Sequence, residues 1–307
     1  SLNRQVGLPE TSSNSRDWGL SLVTISGFSP LGHEYNNPQQ STTRQVQVVD
    51  ALTWARGRHL VRVGADARAT AQDGYRDVQA RGFLTFSDQV PITTNALADL
   101  LLGFPITTGV ARLDNRQKLR AASYSAFAQD SIRIGSSITL SAGLRYEYNS
   151  PAVDAENRAY LYDPASRSLV QVGTGGIPRG GYTPDRNNWA PRAGIAWDVD
   201  GRGTTVVRAG VGLYFDQSAL APSEGLYFNP PYFDLRLYFP LPGLPLTLDN
   251  PFPAQFPILV PPSATTYQPD FQTASVTQWN INVQRQLGRS QLVEVAYVGS
   301  GGRHLLR

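Results

Sequence analysis

The sequence predicts an all-β protein, a segment of an antiparallel transmembrane β-barrel of about 10–12 strands with long loops at one end and short turns at the other. Three observations predict it. Apolar and polar residues alternate over many segments, glycines and charged residues share the polar side, and tight turns alternate with long excursions. Together they favour a sheet with one face in lipid and one face in water.

The clearest alternation runs over residues 138–148, where the polar side carries Thr139, Ser141, Gly143, Arg145 and Glu147. Side chains alternate with period two along a strand, so the other side of this segment is apolar throughout. The stretches 61–69, 192–199 and 205–216 repeat the pattern, with charges in mid-strand. A soluble sandwich would place such charges at strand ends or on a solvent face, whereas a water-filled barrel in lipid accommodates all these strands.

The charged side is predicted to face the lumen of the barrel. We expect the lumen-lining residues to be Arg62, Asp66, Arg68, Arg145, Glu147, Arg192, Asp198, Arg208, Asp216 and Glu294. We interpret them as cross-strand ion pairs on a wet inner wall, and a solute path is the alternative. The opposite side predicts a lipid-facing band that includes Leu140, Leu144, Ile195, Val207, Val211 and Leu213.

Strands are predicted over eleven segments: 18–28, 41–55, 58–70, 79–88, 105–113, 118–134, 136–149, 188–200, 203–217, 272–287 and 290–299. Tight turns fall at 56–57, 135–136, 200–203 and 288–290, each with glycine. A short helix is predicted over 95–103 after the capping residue Asn95, on a side of the membrane that the pattern leaves open. Trp18, Trp54, Trp189, Trp197 and Tyr148 are candidate interfacial anchors.

Composition bounds the function. Only 41% of the residues are hydrophobic and mean hydropathy is -0.27. These values do not exclude a membrane barrel, because apolar and polar residues alternate along its strands. There is no cysteine, no His/Cys/Asp/Glu pattern with metal-ligand spacing and no catalytic motif, so we expect no enzyme activity, metal or cofactor. The formal charge of +3 comes from scattered arginines, which does not predict nucleic-acid binding.

The longest excursion, residues 218–270, holds twelve of the chain's 22 prolines and many aromatic residues. A proline-rich loop of this kind is stiff and does not pair regularly. Its candidate contacts to a ligand or partner are Tyr227, Phe228, Tyr232, Phe233, Arg236, Tyr238 and Phe239. The alternative, which we favour, is that these side chains pack on one another to make the loop compact.

Several short segments resemble the barrel of TonB-dependent receptors, and more narrowly its Oar-like group. They are VDALTWARGRH at 49–59, ALADLLLG at 96–103, AFAQD at 126–130, LRYE at 144–147, DRNNWAPR at 185–192, QWN at 278–280 and VAYVGS at 295–300. The resemblance implies a barrel of about 22 or more strands in the outer membrane of a Gram-negative bacterium, of which this chain supplies about half. It also implies contact with outer-membrane lipid, with the remainder of the barrel and a plug, and with an inner-membrane energy-coupling protein.

We therefore expect residues 1–307 to be part of one outer-membrane barrel domain, a piece of a longer protein without plug or regulatory-like domain, with 218–270 as an extracellular loop. The expected function is import of a bulky nutrient such as a peptide or glycan fragment. The alternatives are a passive porin or small closed barrel, a structural or adhesive surface protein without transport, and a soluble carbohydrate-binding sandwich. The substrate and oligomeric state are not predicted.

Overall fold

The computed structural model describes residues 1–89, 92–216, 220–257 and 264–305. In these residues the helices are α1 Leu2–Gln5, α2 Ala96–Leu102 and α3 Ala221–Gly225, with single 3₁₀ turns at Ser15–Asp17 and Leu226–Phe228. The strands are β1 Leu22–Ile25, β2 Gln39–Arg56, β3 His59–Arg76, β4 Phe83–Phe86, β5 Thr107–Leu113, β6 Arg116–Ile134, β7 Ile138–Asn149, β8 Val153–Asp154, β9 Tyr160–Asp163, β10 Ser168–Gln171, β11 Trp189–Asp198, β12 Thr205–Phe215, β13 Phe233–Tyr238, β14 Ser275–Leu287 and β15 Gln291–Arg303. None of the described helices combines the length and apolarity needed to cross a membrane.

Eight long strands form one antiparallel sheet in the order β15-β14-β12-β11-β7-β6-β3-β2, and the short β8 adds to β6. Each long strand pairs with the long strands that precede and follow it in the sequence, as the alternation predicted. Four tight turns join them in pairs at one end, which we call the turn end. Gly57 and Gly288 in two of these turns have φ of +59° and +66°, a left-handed conformation that glycine adopts without a steric penalty.

The two faces of this sheet differ as predicted. Residues directly opposite each other in an antiparallel sheet share a face. Leu140 lies opposite Ile195, which lies opposite Ala209, so one apolar row crosses three strands. Leu144 and Val211 on this face are 45% and 50% exposed, as lipid-facing residues would be. Arg145, Arg192 and Arg208 point to the other face, so the separation into an apolar and a polar face is as predicted, and the lumen-lining role of the polar face stays a prediction.

Aromatic residues mark the limits of the apolar band. Trp189 and Trp197 lie eight residues apart on β11, or about 27 Å along the strand. This matches a band about 25 Å tall with an aromatic girdle at each edge. Trp54 lies near the same turns as Trp197, and Trp189 packs on Tyr146 at 4.8 Å near the other edge. Trp18 is not an anchor of this kind, because it lies off the long strands and donates to the Ser12 carbonyl.

Strands β2, β3 and β6 contain 18, 18 and 19 residues, whereas about 9–11 tilted residues cross a bilayer. They therefore extend beyond the band, away from the turns. The described parts of 1–38, 77–115, 150–188 and 216–274 join at this end, and we call their assembly the cap. The helix α2 belongs to the second of these segments, so it lies on the cap side.

A second sheet, of order β1-β4-β5-β13, forms the centre of the cap. The segments 18–28, 79–88 and 105–113 contribute to it, and their predicted place in the barrel wall is wrong; β1 also runs parallel to β4. The barrel sheet therefore has eight long strands rather than ten to twelve. The reason is that period-two alternation reports one buried face, and it does not report whether lipid or protein covers that face.

The cap has a protein core of the ordinary kind. Leu84 and Phe86 are fully buried and pack with Val23, Ile25 and Ala96. Among the described hydrophobic residues that are buried, only Leu119 and Ala190 belong to the long strands. Elsewhere the wall exposes its apolar face, which lipid must cover.

The helix α2 shows how local sequence sets an element of the cap. The Asn95 side chain accepts hydrogen bonds from the N–H groups of Leu97 and Ala98, which satisfies two free donors at the start of the helix. Gly103 ends it in the left-handed conformation at φ +83°. The prediction of a capped helix over 95–103 is confirmed.

Replacing Val211 with arginine should lower the free energy of unfolding by about 2–4 kcal/mol, because Val211 lies opposite Ala193, midway between the two tryptophans of β11. The matched variant Gly210→Arg faces the other way, and a Cβ there meets no atom nearer than 3.5 Å. The Gly210→Arg substitution should lower the free energy of unfolding by much less. Urea titrations of the protein folded in lipid vesicles would measure both, and equal penalties would contradict the assigned lipid face.

Candidate functional site

The first candidate site is the cap surface formed by the proline-rich loop. Of its predicted contact residues, Tyr227 and Tyr238 are 1% and 4% exposed, so they belong to the cap interior. Tyr238 packs on Phe252 and Phe256 at 6.4 and 5.6 Å. Tyr227 and Tyr238 therefore stabilise the loop from within, and a ligand cannot contact them in this conformation.

Tyr227 joins the loop to the segment after β7. Its hydroxyl donates to Oδ2 of Asp154, and the same carboxylate accepts from the backbone N–H groups of Lys118, Glu156 and Arg158. Burial, with the Asp154 hydrogen bond adding, raises the pKa of Tyr227 above its ordinary value. The hydroxyl therefore remains a donor at any physiological pH, and Asp154 acts as a structural junction within the cap.

The remaining predicted contacts are partly open to solvent: Phe228, Tyr232, Phe233, Arg236 and Phe239. Phe228 packs edge-on against Phe233 at 5.3 Å. Tyr232 lies under the Arg158 guanidinium at 4.3 Å and beside Tyr160. Arg236 pairs with Asp234 at 2.9 Å. Self-packing thus fixes these side chains in place while leaving part of each exposed, and their contact role stays a prediction.

The second candidate site is the inner wall of the sheet. Among the ten predicted lumen residues, Arg145 and Glu147 form an ion pair at 2.6 Å along one strand, not across two. Asp66 and Glu294 accept from the amides of Gln47, Asn282 and Gln284 instead. Arg208 donates to Gln284, and Asp198 accepts from the Gly203 N–H. For Asp66, Arg208 and Glu294 the described partners are thus amide groups rather than opposite charges, which leaves their charges uncancelled.

Glycines shape this wall into two adjoining depressions of about 240 and 190 Å³. They share Gln129, Gly143 and Arg192. The larger is also lined by Gly194, Gly210 and Gly212, and the smaller is also lined by Arg62, Phe127 and Arg145. A groove of polar side chains over a glycine floor can hold a small polar solute.

A third cavity, of about 550 Å³, lies on the cap between 183–187 and 269–272. Its wall is held by Asp185, which accepts from the Thr273 N–H, and is backed by Tyr182, Tyr267 and Phe271. Sequence reasoning missed this groove because its two sides are more than 80 residues apart. The Pro-Asp pairs at 184–185 and 269–270, with Tyr182 and Phe271 beside them, were the available signal.

Sequence reasoning also missed a buried acid pair beneath the cap. Asp77 is fully buried beside Asp17, and Arg16 donates to Asp77 Oδ2 at 2.7 Å. Burial, with the Asp17 carboxyl adding and Arg16 opposing, raises the pKa of Asp77 to about 7. The pair ties the first segment of the cap to the end of β3. Within the described residues no group of three His, Cys, Asp or Glu side chains could hold a metal ion.

Replacing Tyr227 with phenylalanine should destabilise the cap by about 1–3 kcal/mol, because the buried Asp154 carboxylate loses a donor and no water reaches it. Tyr35→Phe is the control, since Tyr35 is 45% exposed in another part of the cap. Urea unfolding monitored by tyrosine fluorescence would measure the difference. Equal stability of the two variants would show that the Asp154 junction contributes nothing.

The acid pair predicts that stability falls as pH rises. The folded state holds a proton on Asp77 more tightly than the unfolded state, whose pKa is near the ordinary 3.8. The stabilisation is therefore complete below about pH 4 and is lost by about pH 7, with at least about 1 kcal/mol lost between pH 5 and 7. Asp77→Asn, which keeps an acceptor for Arg16, should flatten this dependence, whereas Asp249→Asn at an exposed site should not. Parallel pH profiles for wild type and Asp77→Asn would refute the assignment.

The whole chain, residues 1–307, matches the family model described as an outer membrane beta barrel domain. No curated protein matches it. Among solved structures it is similar to the outer membrane transporter YddB from Escherichia coli, with 12% identity and a TM-score of 0.52 over 92% of this chain. The copper transporter OprC (14% identity, TM-score 0.43) and the unliganded ferric citrate transporter FecA (12%, 0.30) also match, each over 86% of this chain.

At these identities the likeness to YddB shows the fold, and the chain spans 29% of that protein's length, against 30% for OprC and 32% for FecA. The fold shared with YddB, an outer membrane transporter, is consistent with the barrel that the short sequence motifs resemble. The family match, the alternation along the strands and the exposed apolar band all indicate an outer-membrane β-barrel. The chain therefore belongs to the outer membrane β-barrel domain family and resides in the outer membrane of a Gram-negative bacterium.

Proposed function

We propose that this chain forms part of the wall and the cap of an outer-membrane transporter that imports a bulky nutrient, such as a peptide or glycan fragment. The observation that carries the proposal is the pairing of a polar, glycine-lined inner wall with an ordered cap at one end. A wall of this kind offers a wet path through the membrane, and the cap offers a preformed surface for capture. The proposal includes no catalytic step and no cofactor.

The sheet edges support a barrel larger than this sheet. In the described residues β2 and β15 each pair on one side only. Hydrocarbon offers no water to unpaired backbone groups, so both edges must find partners within the membrane. We propose that further strands of the same barrel supply them, with a plug inside; the alternative is a small closed barrel in which β2 pairs with β15.

A cysteine cross-link separates these two arrangements, because the chain contains no cysteine of its own. Pairs that combine Cys at Ala51 with Cys at Tyr297, Val298 or Gly299 should remain unlinked under oxidation in outer membranes. The positive control is Ala65→Cys with Ala126→Cys, which lie directly opposite on β3 and β6. Efficient linkage of a β2–β15 pair would establish the small closed barrel.

We propose that the cap faces the cell exterior. Outer-membrane barrels have short periplasmic turns and long extracellular loops, and all four long segments of this chain gather at the cap end. The proline-rich loop would then meet the ligand first. Its packed aromatic side chains lower the ordering cost of binding, since little conformational freedom is left to lose.

Uptake in cells tests the transport proposal. Labelled peptide and oligosaccharide mixtures should enter wild-type cells faster than cells lacking this protein, and an uncoupler of the proton gradient should abolish the difference. This dependence is expected because coupling to an inner-membrane protein would supply the energy. Uptake that persists with the uncoupler would indicate a passive porin, and uptake independent of the protein would favour a structural or adhesive surface role.

Variants of the loop refine the same assay. Deleting the loop is a poor test, because residues 225–262 include Leu226, Tyr227 and Leu246, which form the cap core. Tyr232→Ala and Phe239→Ala instead remove rings that are partly exposed, and each should lower the rate of uptake severalfold. Tyr35→Ala, an exposed ring outside the loop, is the control. Uptake unchanged by both loop variants would assign the loop to packing alone.

A further inference from the structure

The inner wall carries a row of residues with an unusual charge balance. In register across six strands lie Arg62, Gln129, Gly143, Arg192, Gly212 and Gln278. The row contains two arginines and no acidic residue. Arg145, two residues from Gly143 on the cap side, adds a third guanidinium to the same region.

For two of these arginines, the described residues provide no counter-charge. In the part of the chain that the structure describes, no carboxylate lies within 4 Å of the guanidinium of Arg62 or Arg192, whereas Arg145 is paired with Glu147. Arg62 lies 5.8 Å from the ring centre of Phe127, and Arg192 lies 4.3 Å from that of Tyr214. Ring contacts hold a guanidinium in position and leave its N–H donors available.

The depressions in the wall provide room beside these donors. Arg192 borders both of them, together with the amide of Gln129. A Cβ on Gly210 would meet no atom nearer than 3.5 Å and would lie in ordinary contact with the Asn280 amide, so a larger side chain there would extend into the depression. Gln278 and Asn280 line the far side with further amides.

We propose that this part of the wall binds the carboxylate groups of a solute, with Arg192 as the main contact and Arg62 as the second. Guanidinium groups bind carboxylates through paired, charge-assisted hydrogen bonds. The low-dielectric membrane around a water-filled lumen focuses the field of unpaired positive charge and strengthens its attraction for an anion. Arg62 and Arg192 are separated by three strand spacings, about 14 Å, so an acidic peptide can span them, whereas a small dicarboxylate binds at Arg192 and is attracted by the charge of Arg62.

This inference deepens the proposed function, since it assigns an acidic solute to the transported class. Its test is a binding measurement with purified full-length protein in detergent, so it does not depend on uptake. The probe is glutarate, and glutaramide is the neutral compound of the same shape. Calorimetric titration should show binding of glutarate that weakens with added salt, and glutaramide should bind at least about tenfold more weakly.

The variants locate the site. Arg192→Gln and Arg62→Gln should each weaken glutarate binding, the first by at least about tenfold. Gly210→Leu keeps every charge and fills the larger depression, so it should also weaken binding. Arg208→Gln is the matched control, because Arg208 lies on the same wall outside both depressions and donates to Gln284; it should change the Kd by less than about twofold.

Folding of each variant is checked by its heat-dependent mobility on gels, and Arg192→Lys should retain intermediate affinity because it keeps the charge without the paired donors. Equal affinity for glutarate in wild type, Arg192→Gln and Gly210→Leu would overturn the proposal. So would equal binding of glutaramide, or no glutarate binding at all. After any of these three results, the uptake assay would still decide the transport proposal.

Discussion

The structure depends on one constraint: a strand in hydrocarbon must have both of its backbone edges hydrogen-bonded, because no water is present to replace a missing partner. This constraint explains the long antiparallel ladders, such as the complete pairing of β2 with β3 along 18 residues. It also explains why tight turns suffice at one end, since each turn returns the chain directly to its partner. The side chains of the two faces can then contact different surroundings, lipid on one face and water on the other.

The cap follows a different rule, because its backbone is in reach of water and its stability comes from a buried core. Leu84, Phe86 and Leu246 are almost completely buried, as the residues of a small soluble domain would be. Four separate segments of the chain contribute to it, and Asp154 joins two of them through Tyr227. Prolines are compatible with this assembly. They prevent regular strand pairing, but the segments of the cap are held by packing of side chains.

The inner wall combines the two environments. It must stay polar to hold water, and among the described contacts an amide donates to Asp66, an amide accepts from Arg208, and an aromatic ring supports Arg192. Glycines leave depressions between these side chains. A wall with available guanidinium donors is a selective surface, whereas a wall of paired ions would be electrostatically neutral.

The sequence by itself determined the barrel sheet, its register of inward and outward residues and the tight turns, because alternation with period two and glycine turns are local signals. It also determined the capped helix at Asn95. It could not determine that 18–28, 79–88 and 105–113 leave the wall for a second sheet, since a face buried by protein has the same pattern as a face buried by lipid. The Asp17–Asp77 pair, the Tyr227–Asp154 bond and the row that aligns Arg62 with Arg192 join residues far apart along the chain. Only the tertiary structure decided these contacts, because they depend on which strand ends and loops meet in space.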